Sequence, residues 1–206
     1  MKTKNIFFWI ILFIFLTTFY FDLNKTNFVD FFKIKKIEVN NVKNTDLRLI
    51  NLNLEKFKNK NIFFLNKEQI ALSILPMDLI DEVKIKKIYP DKLKVEINEH
   101  NIVAILAKGE KKHMLSNKGY LIKNYNNKFK SLPIVYGYNS ENYFPNFYMI
   151  LKNMNFDIDQ VEYFKYFESD RWDIFLNNGK LIKLPSNKDR MEKSLVKFNT
   201  LSRDQK

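Results

Sequence analysis

The chain has 206 residues, a formal net charge of +12 at pH 7 and no cysteine. This length suffices for one large or two small domains, which hydrophobic cores must stabilise because no disulfide can form. The basic residues are mostly lysines interleaved with apolar residues, and they form no long block of like charge. This pattern argues against nucleic acid as a partner and is compatible with attraction to an anionic membrane surface.

An apolar segment without charged residues, 6–21, lies near the amino terminus. A helix over this segment would be about 24 Å long, somewhat less than the roughly 30 Å of a hydrocarbon core, and aromatic residues at the interfaces make up the difference. The alternative is a cleaved signal peptide. Cleavage requires small residues directly after the apolar core, but bulky residues occupy those positions in this chain. We predict a single uncleaved transmembrane anchor that contains Ile6, Trp9, Phe13, Tyr20 and Phe21.

The charges that flank this segment predict its orientation. Lys2 and Lys4 precede it, so the positive-inside rule keeps the short tail, residues 1–5, in the cytoplasm. The rest of the chain is then exported, and the protein is expected in the inner (cytoplasmic) membrane with its bulk in the periplasm.

The next part of the chain predicts a strand, two helices and a hairpin. Apolar and polar residues alternate in residues 34–42, which indicates a strand. Helical spacing indicates a helix over residues 46–58 that Thr45 could cap, with Leu47, Ile50, Leu54 and Phe57 facing inward. A second helix begins at the N-cap Asn66 and ends before Pro76, with Ile70, Ile74 and Leu75 facing inward.

The hairpin is the clearest local feature of this part. Apolar residues alternate with charged residues in residues 83–87 and again in 92–99, where Glu99 ends the second strand. Between them, Tyr89-Pro90 begins a tight turn because proline presets φ for the second position of a type I turn. The order β-α-α-β-β, with two helices on one face of a three-stranded sheet, is therefore predicted.

The second half of the chain is predicted to be rich in strands around a few helices. Pro145 is expected to start a helix with Phe147, Ile150, Leu151 and Met154 on its buried face. Asn178-Gly179 is a strong hairpin signal, and Asn187 could cap a last helix that buries Met191, Leu195 and Phe198. The expected strands are residues 102–107, 113–116, 161–167, 172–176 and 180–184.

Residues with catalytic or metal-binding chemistry are sparse. His100 and His113 have no partner at metal-ligand spacing, and the acidic residues cluster in turns, where they usually cap helices. The few glycines fall in turns rather than in a phosphate-binding loop. We therefore predict no catalytic, metal, cofactor or small-molecule site and interpret the chain as a binding protein.

Several motifs, in order, resemble the cell-division protein FtsQ (DivIB) family. Residues 132–137 are similar to its L-P-x-x-x-G, and residues 171–179 to its R-W-x-L-x-L-x-N-G. The family shows V-x-R-x-W-P-x-x-L-x-I-x-V-x-E where this chain has Ile85, Lys87, Tyr89-Pro90, Leu93, Val95, Ile97 and Glu99, so tyrosine stands in place of tryptophan.

The resemblance implies an α+β protein with an N-terminal anchor, a POTRA domain over residues 32–100 and an FtsQ-type β domain over residues 101–206. The family's last strand is expected to be missing, because the chain stops at Lys206 soon after the last helix. This expectation leaves Lys180, Leu181, Ile182, Lys183 and Leu184 as the candidate partner-binding edge, while Tyr89, Pro90 and Glu99 mark the POTRA hairpin.

The resemblance also implies the function. The chain would be a non-enzymatic, single-pass divisome protein at the division septum, linking early cell-division components to the septal peptidoglycan machinery. Its implied partners are FtsB- and FtsL-like proteins, which could add a strand to an exposed sheet edge. The alternative is a POTRA-containing envelope assembly or secretion protein, which is disfavoured because no series of barrel strands follows.

Overall fold

Two β-sheets, each with its own hydrophobic core, make up most of the chain that the structure describes. The computed structural model describes residues 2–18 and 28–203. We call residues 28–100 the three-stranded unit and residues 101–203 the seven-stranded unit, after the sheet in each. This arrangement confirms the predicted α+β fold, with a β-rich second half.

The amino-terminal segment is helical over Lys2–Thr18 (α1). The side chains of the predicted anchor residues Ile6, Trp9 and Phe13 are exposed on it. Within the described residues, no helix has both the length and the apolar character needed to cross a membrane. Tyr20 and Phe21, also assigned to the anchor, lie outside the described residues.

The three-stranded unit has the predicted order β-α-α-β-β, preceded by a short helix, Phe28–Phe31 (α2). Its central strand pairs in parallel with the first strand and antiparallel with the second, so the sheet order is β1-β3-β2. The elements are β1 (Lys36–Asn40), α3 (Leu47–Glu55), α4 (Lys67–Leu72), β2 (Ile80–Ile88) and β3 (Lys92–Glu99).

The core of this unit lies between the sheet and the two helices. One face of β3 is fully buried through Leu93, Val95 and Ile97, because alternate residues of a strand point to the same side. Inward-facing residues of the two helices and of the turns that follow them cover it. They are Ile50 and Leu54 of α3, Ile70 of α4, and Phe57 and Ile74 in the turns.

Three details of the helices differ from the prediction. Asp46, rather than Thr45, caps α3, because its carboxylate accepts a 2.8 Å hydrogen bond from the backbone N–H of Arg48. Leu47 is 45% exposed, since it occupies the first helical position at the margin of the apolar stripe. Leu75 is 38% exposed, since α4 ends at Leu72 and the following turn no longer keeps the helical spacing.

The seven-stranded unit contains one mixed sheet in the order β10-β9-β8-β7-β4-β5-β6. Parallel pairing joins β4 to β7 and β7 to β8, and the remaining neighbours are antiparallel. Its strands are β4 (Ile102–Lys108), β5 (Lys111–Ser116), β6 (Leu121–Ile122), β7 (Ile134–Tyr136), β8 (Val161–Phe167), β9 (Arg171–Leu176) and β10 (Leu181–Lys183).

Two helices cover one face of this sheet. α5 spans Ser140–Asn153 and α6 spans Lys188–Arg203, and the α6 residues Met191 and Leu195 are buried against the core. The prediction that Pro145 starts α5 is wrong, because the helix begins five residues earlier and contains the proline. The preference of proline for the first turn does not exclude a position further along the helix.

The two units meet at the end of the three-stranded sheet where β2 begins and β3 ends. Leu79 packs against a small apolar cluster formed by Ile102, Met114 and Ile122. Side chains also bridge the units, from Lys118 to Asp81 and from Asn124 to Asp78. We call this the junction end of the three-stranded unit.

Candidate partner-binding edge

Three of the five predicted edge residues lie on β10, the outermost strand at one side of the seven-stranded sheet, and Lys180 and Leu184 flank it. β10 pairs with β9 in the register Leu181 to Phe175, Ile182 to Ile174 and Lys183 to Asp173. Among the strands that the structure describes, none pairs with β10 on its other side. The structure thus brings Leu181, Ile182 and Lys183 together on an open strand.

Backbone hydrogen bonds hold the residues on either side of β10 against β9. The N–H of Leu176 donates to the carbonyl oxygen of Lys180 at 2.9 Å. The N–H of Leu184 donates to the carbonyl oxygen of Trp172, also at 2.9 Å. Positions 180 and 184 therefore both lie in hydrogen-bonded pairs of this antiparallel ladder.

This alternation decides which backbone groups of β10 are open to a partner. Hydrogen-bonded and non-hydrogen-bonded pairs alternate along an antiparallel ladder, so Ile182 directs its N–H and C=O towards β9. Leu181 and Lys183 direct theirs away from the sheet. An added strand would therefore bond to Leu181 and Lys183 and not to Ile182.

The side chains of the edge follow the same alternation. Leu184 is buried, and Ile182 packs against the core of the unit, so both fix β10 in place. Leu181 is 43% exposed and lies on the opposite face of the sheet, away from α5 and α6. Lys183 is also exposed, and Lys180 ends the turn before the strand.

A row of aromatic rings crosses this outer face and ends beside Leu181. Phe175, opposite Leu181, stacks on Tyr163 of β8 with ring centroids 4.1 Å apart and an interplanar angle of 16°. Tyr163 meets Tyr136 of β7 edge to face at 5.5 Å. A strand that adds to β10 could extend this apolar row with its own side chains.

Sequence reasoning did not find this row. Its members come from three strands that are separated along the chain, and their alignment depends on the register between those strands. The only available signal was that each aromatic residue occupies an outward position next to inward, buried neighbours. Because a shift of one residue would turn the rings to the other face, the sequence alone could not assign the row.

The hairpin residues lie in the three-stranded unit, away from the β10 edge. The ring of Tyr89 stacks on Phe63 at 4.9 Å and is 54% exposed, and the Tyr89–Pro90 peptide bond is cis. This hairpin joins the end of β2 to the start of β3, so Tyr89 lies at the end of the unit opposite the junction. It therefore contributes nothing to the packing of the seven-stranded unit.

Glu99 has a structural role at the junction end of the three-stranded unit. Its carboxylate accepts hydrogen bonds from the backbone N–H groups of Lys43, Asn44 and Thr45 at 2.8 to 3.0 Å. Burial opposes the charge of this carboxylate, but the three N–H donors outweigh burial and lower the pKa of Glu99. The loop between β1 and α3 is thereby fixed to β3.

Family comparisons agree with this architecture. The family described as "POTRA domain, FtsQ-type" matches residues 32–100, and the one described as "Cell division protein FtsQ/DivIB, C-terminal" matches residues 104–206. The second match alone covers half of the chain.

Individual relatives give the same result. The cell division protein FtsQ of Rhizobium meliloti is 29% identical over 122 residues, which make up 59% of this chain and 40% of that protein. The cell division protein DivIB of Clostridium tetani is 28% identical over 105 residues, 51% of this chain and 39% of that protein. The matched region thus spans less than half the length of these two relatives.

A solved structure is also similar to this chain. It is the major extracytoplasmic domain of the trans isomer of DivIB from Geobacillus stearothermophilus, with a TM-score of 0.36, 12% identity and coverage of 51% of this chain and 92% of that chain. From the two family matches, which follow one another along the chain, we conclude that the protein belongs to the FtsQ/DivIB family of cell division proteins and carries a POTRA domain of the FtsQ type.

Proposed function

We propose that the protein acts without catalysis, as a divisome component that binds its partners through β-strand addition at β10. The observation that carries this proposal is the outward orientation of the backbone groups of Leu181 and Lys183 on an open strand. An extended segment that pairs there gains main-chain hydrogen bonds, and its side chains can extend the aromatic row beside Leu181.

The proposed partners are FtsB- and FtsL-like proteins, which would connect early division components to the septal peptidoglycan machinery. Membership of the FtsQ/DivIB family supports a role in the divisome, and the match to its C-terminal domain favours this role over envelope assembly or secretion. The lysines at positions 180 and 183 would discourage pairing between two copies of the open edge, as edge lysines commonly do.

We further propose that residues 6–21 anchor the protein in the inner membrane, with residues 1–5 in the cytoplasm and the bulk in the periplasm at the septum. Support comes from α1, whose residues 6–17 carry no charge and expose their apolar side chains. Such a surface is unfavourable in water and favourable in a hydrocarbon environment. Lys2 and Lys4 before it favour this orientation.

The experiment that tests the edge compares two substitutions at one position. Lys183→Pro removes the outward N–H donor, whereas Lys183→Ala removes the charge and keeps the donor. The full-length chain in nanodiscs is titrated with a peptide of the FtsB-like periplasmic segment. We expect Lys183→Pro to weaken binding at least tenfold and Lys183→Ala to weaken it less than threefold, with equal melting temperatures.

Ile182→Pro serves as a second comparison, because it removes a donor that faces β9 rather than the partner. It should lower the melting temperature of the chain by loosening β10. Unchanged affinity of a folded Lys183→Pro variant would mean that the partner binds elsewhere.

A further inference from the structure

The three-stranded unit has a second end, opposite the junction, where the chain arrives from its amino-terminal helix. β1 starts there, beside the turn that joins β2 to β3, and Lys36 pairs with Lys92. The segment after α3 also returns there, since the N–H of Asn59 donates to the oxygen of Ile34 at 3.0 Å. β3 has eight residues, so this end lies about 26 Å from the junction.

A connected group of aromatic rings lies at this end, exposed except for the half-buried Phe32. Phe31 contacts Phe32 at 5.1 Å, Phe32 contacts Phe63 at 4.8 Å, and Phe63 stacks on Tyr89 at 4.9 Å. We call Phe31, Phe63, Phe64 and Tyr89 the aromatic patch. Their exposed fractions are 54%, 52%, 89% and 54%. A contiguous apolar surface of this kind marks an interaction site.

Lysines without a carboxylate partner lie at this end of the unit. Among the described residues, Lys56, Lys60 and Lys87 form no ion pair. The ammonium of Lys87 donates to the backbone oxygen of Phe63 at 3.3 Å, and those of Lys56 and Lys60 lie 5.3 Å from the ring centroid of Phe57, in the segment that returns to this end after α3. The nearby carboxylates of Asp30 and Asp91 are already engaged by Lys33 and Lys35. The charge available to a partner at this end is therefore positive.

Aromatic rings flanked by lysines are the side chains that favour the headgroup region of a bilayer. The rings are amphipathic or apolar bodies that insert at headgroup depth, and the lysines are attracted to anionic lipids within a Debye length of the surface. A partner of this chemistry needs no shaped pocket, which agrees with a patch of largely exposed rings.

The chain length before the patch keeps it near the place where α1 ends. Only residues 19–27 separate Thr18 from Phe28, and a chain of this length spans at most about 35 Å. This step rests on the proposed function, in which α1 belongs to the membrane anchor. A tether this short gives the patch a high local concentration of lipid headgroups.

We infer that the aromatic patch docks on the anionic outer face of the same membrane that holds the anchor, with Phe63 and Phe64 at headgroup depth. In this position the end of the three-stranded unit that carries the aromatic patch faces the bilayer. The junction end then points away from the bilayer and carries the seven-stranded unit, with its β10 edge, off the lipid surface.

The absence of cysteine permits a direct test with one label at a time. Phe64→Cys carries the environment-sensitive dye NBD at the patch, and Tyr138→Cys, at a residue 72% exposed in the seven-stranded unit, carries the same dye as the matched control. The labelled full-length chain is reconstituted in vesicles of phosphatidylglycerol with phosphatidylcholine, or of phosphatidylcholine alone. Some of the lipids carry a spin label that quenches NBD.

We expect at least twofold stronger quenching and a blue-shifted emission at position 64 relative to position 138 in the anionic vesicles. Replacing Lys56, Lys60 and Lys87 by glutamate, or adding 0.5 M salt, should reduce this quenching by at least half. Equal quenching at the two positions in chains that float with the vesicles would overturn the docking and leave the anchor intact. That result would also favour a protein partner, rather than lipid, for the patch. Chains that do not float with the vesicles would overturn both the anchor and the docking.

Discussion

The carboxylate of Glu99 accepts a 2.8 Å hydrogen bond from the backbone N–H of Thr45, a residue 54 positions earlier in the chain. The neighbouring N–H groups of Lys43 and Asn44 donate to the same carboxylate. One side chain at the end of β3 therefore satisfies three consecutive donors of the loop between β1 and α3. This loop borders the junction with the seven-stranded unit, so Glu99 stabilises the part of the three-stranded unit that contacts it.

Removing the Glu99 carboxylate should destabilise the three-stranded unit. Glu99→Ala leaves three N–H groups without their acceptor and should cost roughly 1–3 kcal/mol of unfolding free energy. Glu99→Gln keeps one acceptor oxygen without the charge and should cost less. Chemical denaturation of the three proteins measures the difference. An unchanged midpoint for Glu99→Ala would show that water replaces the carboxylate at no cost.

The same interaction predicts a dependence on pH. The folded pKa of Glu99 is lowered, because the three N–H donors outweigh the effect of burial, so the carboxylate stabilises the folded state at pH values above its ordinary pKa of 4.5. This contribution is lost as the pH falls below about 4.5, and Glu99→Gln should lack it. Melting temperatures of both proteins between pH 3 and 7 should therefore converge at the acid end.

Local signals in the sequence predicted the secondary-structure elements well. Contacts between segments that are distant along the chain could not be predicted. Asn66 as an N-cap and the turn at Asn178-Gly179 were found because capping and turn formation depend on a few adjacent residues. The binding of Glu99 to residues 43–45 could not be found, because it requires the parallel pairing of β1 with β3. The candidate partner-binding edge was predicted at residues 180–184, of which 181–183 form β10, yet the outward direction of Leu181 and Lys183 needed the observed register.

His100 should make the junction sensitive to mildly acidic pH. The ring is buried and stacks on Tyr120 with centroids 4.3 Å apart, and its Nδ1 lies 3.5 Å from the carboxylate of Asp81. Burial lowers the pKa of His100, the charge of Asp81 opposes this, and Lys118 adds to it. The unfolded chain therefore binds a proton more readily than the folded chain, and stability falls as the pH drops below about 6.5.

His100→Phe should keep the stacking on Tyr120 and remove this titration. We expect its melting temperature to change less than that of the wild type between pH 7.5 and 5.5. Equal slopes for wild type and His100→Phe would show that the proton binds elsewhere.

The ring pair of Trp172 and Phe147 should dominate the stability of the seven-stranded unit. The two rings lie parallel, 4.4 Å apart with an interplanar angle of 1°, and join β9 to α5 in the core. Trp172→Ala should cost about 3–5 kcal/mol, because the lost contacts leave a cavity. Tyr138→Ala, at an exposed position, should stay within about 0.5 kcal/mol of the wild type. Thermal unfolding followed by near-ultraviolet circular dichroism distinguishes the two, and a small loss for Trp172→Ala would contradict the packing.

Gly137 should tolerate no side chain, because β8 approaches its backbone too closely. Its φ is +128°, and a Cβ built on it would lie 2.5 Å from the carbonyl oxygen of Tyr166, which as backbone cannot move aside. Gly137→Ala should therefore cost roughly 2–6 kcal/mol from strain and overpacking together. Gly109, with φ +61° and open space around it, is the matched control, and Gly109→Ala should cost about 1–2 kcal/mol from backbone strain alone. Equal losses in denaturation midpoint for the two variants would mean that φ, and not the contact with Tyr166, decides the requirement for glycine at position 137.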